Sequence, residues 1–226
     1  MPAQPFETDI TQTSAGELHI TFLGHGSLMF TLGEKVIHVD PFSRVADYSV
    51  LPKANLILIT HEHPDHLDTA ALDAIRTDTT DIVLTELCDQ TVEGGLIMRN
   101  GDISVVQGLS IEAVPAYNLI HKRESGDPFH PCGHGNGYIL TFGETRVYIA
   151  GDSENTPEML ALRNIDIAFL PMNLPYTMAP EMVAAAAHAM KPSILYPYHF
   201  GSTDTSLLID LMRDQSETDI RIRSMA

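Results

Sequence analysis

Cysteine is scarce in this chain of 226 residues: Cys88 and Cys132 lie far apart, and no CxxC pair occurs. A disulfide framework is therefore not expected, and a reducing compartment, the cytoplasm, is the predicted location. The first residues, MPAQPFETDITQ, show no basic segment followed by a long apolar stretch, so no signal peptide is expected. No apolar run approaches the length needed to cross a bilayer, which predicts that the protein does not act in a membrane.

Basic residues are also few, with 13 Lys and Arg against 30 Asp and Glu, which gives a formal net charge of −17. Such a surface repels phosphate backbones, so a long nucleic acid is not expected as a partner. A small-molecule substrate fits the composition better, because a locally basic cleft can still bind a small anion. Assembly into a homo-oligomer stays open.

Hydrophobic residues make up 44% of the chain and charged residues 19%, which is typical of a globular protein. Short β-rich segments bounded by Gly, Asp or Pro are followed by helical patterns, and this alternation occurs twice. The segment NGYILTFGETRVYIAGD predicts a hairpin, and PEMVAAAAHAM predicts a helix that begins at a proline. We therefore expect one α/β domain over residues 1–226, with two packed sheets, outer helices and a loose lead-in at residues 1–16.

The segment THEHPDHLD, residues 60–68, follows the buried-strand pattern ANLILIT and concentrates histidine and acid. His61 and His63 are two residues apart, so in an extended segment their side chains leave on the same side. Pro64 then forces a turn before Asp65 and His66. Imidazole nitrogen and carboxylate oxygen suit zinc, manganese or iron. The alternative is that Asp65 caps the following helix and the histidines are solvated.

These residues carry a family resemblance. HEHPDH fits the H-x-H-x-D-H signature of the metallo-β-lactamase superfamily, and AGDSE and YPYHFG resemble its bridging-aspartate and terminal-histidine segments. The chain is similar in particular to the metal-dependent hydrolases related to ascorbate-6-phosphate lactonase. The supporting segments are FLGHGS, VDP, VPAYN, GHGNGY and LPMNLPYTM. The resemblance covers about residues 18–201 and implies a four-layer αββα sandwich with the site along one edge of the sheets.

The resemblance also implies a set of metal ligands for one or two divalent ions, zinc or manganese. His61 and His63 would bind the first ion, Asp65, His66 and His199 the second, and Asp152 would bridge them. Without the resemblance, Asp152 would be a turn residue and His199 a polar residue at a strand end.

The chain departs from the family where the third histidine of the first ion is expected, because VPAYN places Asn118 there. An amide oxygen is a weaker ligand that suits harder metals. The alternative is a histidine of the loop 118–137, which contains His121, His130 and His134. His130 is otherwise a candidate substrate contact. Lys122 and Arg123 are candidates for binding a phosphate or carboxylate of the substrate, or are solvated charges.

The expected chemistry is hydrolysis by a metal-activated water, most simply of a lactone or another small ester. Asp65 would hold a metal, accept a proton, or both. The resemblance puts His25, between two glycines, near the cleft as a candidate catalytic or substrate-binding group; without it, His25 would be a turn residue. Asp40 is a candidate to orient a ligand histidine, or else ends a strand at an Asp-Pro turn. A phosphodiesterase acting on a small phosphodiester or nucleotide is one alternative. A non-hydrolytic metal-binding or redox protein on the same fold is another.

Overall fold

The computed structural model describes residues 6–214 and 217–225. Within these residues the chain forms two β-sheets of seven strands each and four α-helices. The first sheet contains β1 (Thr8–Thr13), β2 (Gly16–Gly24), β3 (Ser27–Leu32), β4 (Lys35–Val39), β5 (Leu56–Leu58), β6 (Asp81–Leu84) and β7 (Leu96–Ile97). The second contains β8 (Ile103–Val106), β9 (Leu109–Ala116), β10 (Gly135–Phe142), β11 (Thr145–Ile149), β12 (Ile167–Pro171), β13 (Ile194–Tyr198) and β14 (Asp219–Ile220). The helices are α1 (Thr69–Ile75), α2 (Pro157–Ala161), α3 (Pro180–Met190) and α4 (Ser206–Leu211).

The two sheets follow the same plan. In each sheet the strands lie in chain order, the first four pair antiparallel, and the remaining pairs are parallel. Most neighbouring antiparallel strands are joined by short turns, as the Gly-bounded segments predicted, but β9 and β10 are joined by the long loop 117–134. The continuous apolar run before the histidine cluster is β5, a central strand whose three residues are all buried.

The sheets pack face to face around a shared core. Leu18 and Phe30 of the first sheet belong to the same buried cluster as Phe169 and Tyr196 of the second. The Phe169 and Tyr196 rings stack with centroids 4.9 Å apart and planes 14° apart, and Phe22 packs 5.0 Å from Tyr196. Burying one large apolar side chain contributes about 1.5–3 kcal/mol, so this layer holds the two sheets together.

Helices cover the outer faces of both sheets. Leu72 and Ile75 of α1 pack with Ile57 on the first sheet. The alanine-rich face of α3 packs through Val183 and Ala187 on the second sheet, where α2 and α4 join the same cluster. The resulting order of helix, sheet, sheet and helix confirms the predicted αββα sandwich.

One expectation about the chain's beginning is wrong within the described residues. Residues 8–13 were expected to be part of a loose lead-in, but they form β1, whose register on β2 runs from the Thr8–Thr21 pair to the Thr13–Gly16 pair. The segment TDITQT lacks a clear apolar face because β1 is an edge strand, and none of its six residues is buried. Residues 1–5 lie outside the described residues.

The fold brings several strand ends to one edge of the sandwich. The loops that follow β4, β5, β9, β11 and β13 meet there, as expected for ligand sites at the carboxyl ends of parallel strands. In the described part of the chain no helix is long and apolar enough to cross a membrane. Cys88 is buried and Cys132 exposed, and neither forms a disulfide.

Candidate metal centre

The histidine cluster leaves β5 and turns sharply before α1. The carbonyl oxygen of His63 accepts hydrogen bonds from the backbone N–H groups of His66 (2.9 Å) and Leu67 (2.8 Å), which closes the turn that Pro64 starts. Asp68 caps α1, because its side chain accepts from the N–H groups of Ala70 and Ala71. The alternative in which Asp65 caps this helix is therefore wrong.

Three imidazoles meet on one side of this turn. His61, His63 and His130 each offer a ring nitrogen, and these nitrogens lie within 4.8 Å of one another. The ring centroid of His130 is 5.1 Å from that of His61 and 4.8 Å from that of His63. The group has the composition and spacing of a three-histidine metal site.

A second group of donors lies beside the first. Asp65 Oδ2 is 3.7 Å from His66 Nε2 and 3.6 Å from His199 Nε2. The same oxygen is 3.0 Å from His25 Nε2, and the His25 ring lies 3.8 Å from that of His199. The four side chains lie close enough together to hold one ion, and Asp65 is the most exposed of them.

Asp152 lies between the two groups, at the turn after β11. Its Oδ1 is 3.5 Å from His66 Nε2, while its Oδ2 is 3.4 Å from His130 Nε2 and 3.5 Å from His199 Nε2. Its side chain is only 5% exposed. This carboxylate therefore faces both groups, which is the position a bridging ligand needs.

A buried network behind the ligands determines which nitrogen of two histidines carries hydrogen. Asp40 accepts from Thr60 N (2.8 Å), Thr60 Oγ1 (2.7 Å) and His66 Nδ1 (2.8 Å). Because the Thr60 hydroxyl donates to Asp40, it accepts from His61 Nδ1 at 3.0 Å. Both rings thus carry hydrogen on Nδ1, and Nε2 is the nitrogen that faces the site.

The buried donors fit a divalent metal ion. Among the described residues, His61 Nε2, His66 Nε2, His199 Nε2 and Asp152 Oδ1 are buried without a hydrogen-bond partner. A buried polar atom left unpaired costs about 1–3 kcal/mol, so four in one place need a common partner. A cation with nitrogen and carboxylate ligands satisfies all of them.

The electrostatics of the cluster point the same way. Burial lowers the pKa of His130 to about 4, and burial together with His66 holds the pKa of His61 well below its usual range. Burial would also lower the pKa of His66, but Asp152 and Asp40 outweigh it and raise that pKa to about 9. The carboxylates therefore favour a positive charge at this position, and a bound metal ion would replace the proton on His66 Nε2. Burial raises the pKa of Asp152, yet the surrounding imidazoles hold it well below its ordinary value. The carboxylate is therefore ionised and able to bind a cation.

Asn118 does not occupy the place of the missing ligand. Its Oδ1 accepts two hydrogen bonds from His130, from the backbone N–H and from ring Nδ1, both at 2.8 Å. His130, for which a substrate contact was one expectation, lies among the ligand candidates, as the loop-histidine alternative predicted. His121 instead hydrogen bonds Glu154 at 2.6 Å, and exposed His134 belongs to no candidate ligand group in the described chain.

A cavity of about 370 Å³ opens over the ligand groups. Arg123 lines it together with Phe129 and Tyr176, while its neighbour Lys122 is exposed and not part of the lining. The Arg123 guanidinium lies 5.0 Å from the Phe129 ring centroid, and the Phe129 and Tyr176 rings meet edge to face at 5.1 Å. The wall is thus aromatic with one cation. Sequence reasoning named Arg123 but missed both aromatic residues.

Sequence reasoning also missed Glu154, whose side chain is fully buried behind the site. It follows Asp152 by two residues in the segment AGDSE, but nothing in the local pattern shows that it contacts a loop more than thirty residues earlier. An acidic residue next to a predicted ligand was the available signal.

Comparisons with known proteins show which family the chain resembles. The family model described as the beta-lactamase superfamily domain matches residues 19–199. A protein from Thermococcus onnurineus described as a metal-dependent hydrolase is 31% identical over 196 residues, covering 81% of this chain and 84% of that protein.

Two solved structures resemble the chain in their three-dimensional fold. A crystal structure of a candidate metal-dependent hydrolase from Parabacteroides distasonis has a TM-score of 0.93 and 48% identity, and it covers 98% of this chain and 100% of that chain. A metallo hydrolase from Ignicoccus hospitalis has a TM-score of 0.73 at 24% identity, covering 91% of this chain and 94% of that chain. The latter likeness concerns the fold alone.

Proposed function

The chain belongs to the metallo-β-lactamase superfamily, and from that premise we propose that it hydrolyses a small ester, with a lactone as first candidate. The proposal rests on one observation above all: two groups of imidazole and carboxylate ligands face each other across Asp152. We propose zinc or manganese as the bound ions, because both accept mixed nitrogen and oxygen ligands.

Metal ions bound by these residues would polarise the scissile carbonyl and lower the pKa of water. His61, His63 and His130 would hold the first ion, and Asp65, His66 and His199 the second. Asp152 would contribute an oxygen to each. Its burial keeps the carboxylate away from bulk water, which strengthens its attraction for both ions.

Asp65 and His25 are placed to handle protons at the cavity. Burial raises the pKa of Asp65, but its contacts with the imidazoles of His199 and His25 hold that pKa well below its usual range. Asp65 is therefore an acceptor, and His25 donates from Nε2 to it at 3.0 Å. Both side chains line the cavity, so this pair can hold a proton next to the leaving group.

Metal loading and hydrolysis measured on the same samples test the proposal. Wild-type protein and the His61→Ala/His63→Ala double variant would be loaded with zinc or manganese and assayed on lactones, linear esters and phosphodiesters. We expect the double variant to lose the first ion and turnover together, while His188→Ala, which changes an exposed histidine on α3, keeps its metal content and its turnover. Equal metal content in the wild type and the double variant would contradict the ligand assignment.

The substrate panel separates the alternatives. Turnover of phosphodiesters but not esters would favour the phosphodiesterase alternative. Bound iron with visible absorbance and no hydrolysis of any member would favour the redox alternative.

Arg123 gives the cavity a preference for anions in this proposal. Arg123 is the sole Lys or Arg in the described cavity lining, and its side chain contacts the aromatic wall. We predict that Arg123→Gln raises KM about 10-fold for a carboxylate- or phosphate-bearing ester and leaves KM for an uncharged ester unchanged, because a charged hydrogen bond contributes about 1.5–3 kcal/mol before solvent screening. Lys122→Gln is the matched control, since Lys122 lies outside the lining. Equal losses for charged and uncharged esters would contradict this role.

A further inference from the structure

The carboxylate of Glu154 holds the start of the loop that carries His130. Glu154 Oε2 accepts from the backbone N–H groups of Leu119 (2.7 Å) and Ile120 (2.6 Å), and Oε1 accepts from that of His121 (2.8 Å). His121 Nδ1 and Asn118 Nδ2 also contact Oε1, at 2.6 and 3.2 Å. The Glu154 side chain is fully buried, so its carboxylate accepts hydrogen bonds from these donors and not from solvent.

The orientation of the Asn118 amide is fixed by backbone groups on both sides. The carbonyl oxygen of Tyr176, which only accepts, lies 2.9 Å from one amide atom, so that atom is the nitrogen. The backbone N–H of His130, which only donates, lies 2.8 Å from the other atom, so that atom is the oxygen. Glu154 reinforces this orientation because it accepts from the same amide nitrogen.

This orientation determines where His130 carries hydrogen. His130 Nδ1 lies 2.8 Å from the Asn118 oxygen, which can only accept, so Nδ1 must donate. The lone pair then remains on Nε2, which faces Asp152 Oδ2 at 3.4 Å and shares the first ligand group with His61 and His63.

We propose that Glu154 and Asn118 are positioning residues that fix the orientation and tautomer of His130, so that the loop 119–130 supplies the third histidine of the first metal site. Glu154 holds the first residues of the loop by hydrogen bonds to their backbone N–H groups. Asn118 holds the end of the loop, because its oxygen accepts from the backbone N–H and the ring Nδ1 of His130. Hydrogen bonds behind a metal-bound histidine typically change metal affinity 10- to 100-fold. The inference rests on the proposed metal site, but the tautomer can be tested without metal.

The first test uses the metal-free wild-type protein. Nitrogen-15 NMR of labelled histidine distinguishes the two neutral tautomers, and His130→Gln identifies the signal. We expect hydrogen on Nδ1 of His130. Hydrogen on Nε2 would overturn the inference, whatever the protein hydrolyses.

The second test uses competition with a chromophoric chelator, which measures one affinity for each of the two zinc ions. Asn118→Leu removes the oxygen but leaves Glu154 its contacts with residues 119–121. We expect zinc affinity to fall about 10- to 100-fold at one site and to stay unchanged at the site of Asp65, His66 and His199. Glu158→Gln is the control, because exposed Glu158 accepts from the Tyr117 hydroxyl in the neighbouring segment and contacts none of the candidate ligands in the described part of the chain.

Two further variants separate positioning from simple structural support. Asn118→Asp keeps an oxygen for His130 but places a second carboxylate beside Glu154 Oε1, so we expect lower thermal stability with the Nδ1 tautomer retained. Glu154→Gln is expected to weaken the first site as Asn118→Leu does. If Asn118→Leu binds two zinc ions as tightly as the wild type, the inference is wrong. If the wild type binds no divalent metal, it is the proposed function that fails.

Discussion

Asp40 offers a perturbation whose effect should reach both metal sites. Its carboxylate accepts from Thr60 N through Oδ1, and from Thr60 Oγ1 and His66 Nδ1 through Oδ2. In Asp40→Asn, the Thr60 N–H still needs an oxygen opposite it. The amide nitrogen must therefore take the position of Oδ2, facing the Thr60 hydroxyl and the His66 ring.

This replacement reverses two tautomers. His66 Nδ1 must then accept, so the hydrogen moves to Nε2, the atom that faces Asp152. The Thr60 hydroxyl no longer has an acceptor at residue 40, so it donates to His61 Nδ1 across the existing 3.0 Å contact. The hydrogen of His61 then also moves to Nε2. One substitution thus blocks one ligand nitrogen in each group.

The expected loss is about 10- to 100-fold in metal affinity at each site, or about 1.4–2.7 kcal/mol per site. Zinc competition with a chromophoric chelator measures both affinities, and unfolding of the metal-free protein shows whether the variant is folded. Asp68→Asn is the matched control, because within the described residues the Asp68 side chain hydrogen bonds Ser43 and the start of α1 and no candidate metal ligand. A folded Asp40→Asn protein with unchanged affinity at both sites would refute the tautomer reasoning.

Two other substitutions test the surroundings of the site. A Cβ at Gly26 would lie 3.0 Å from His66 Cε1 and 3.5 Å from His199 Cδ2. Gly26→Ala should therefore displace these two rings and lower the metal affinity of their site alone, by about 10-fold in a chelator competition. Equal weakening of both sites would contradict this expectation. His38 is fully buried, hydrogen bonds the Pro52 carbonyl, and burial lowers its pKa to about 4. Below its unfolded pKa of about 6.5, only the unfolded chain takes up this proton, so stability falls as the pH decreases towards 4. His38→Gln should therefore remove about 2 kcal/mol of the stability difference between pH 7.5 and pH 5 in urea unfolding of the metal-free protein, and an unchanged difference would contradict the buried neutral state.

Much of the fold was readable in the sequence because its signals are local. Gly-bounded β-rich segments gave the hairpins, the apolar run before Thr60 gave the central strand β5, and PEMVAAAAHAM gave α3. The edge strand β1 was missed because its pairing with β2 depends on backbone hydrogen bonds and buries no apolar side.

The candidate site also contains residues that the sequence brings together and residues that it does not. His61, His63, Asp65 and His66 lie within six consecutive positions, so sequence alone brought them together. The position of His130 in the first ligand group could not be predicted from the sequence, because the path of its loop depends on Glu154, 24 positions further along the chain. Glu154 binds backbone N–H groups of the loop, and backbone groups carry no sequence signal.

Anomalous diffraction from crystals loaded with zinc or manganese tests the central claim most directly. We expect two metal peaks, one on either side of Asp152. His61, His63 and His130 should contact one, and Asp65, His66 and His199 the other. An anomalous map with no peak at either ligand group would contradict the metal assignment. A first peak bound by Asn118 in place of His130 would also contradict it.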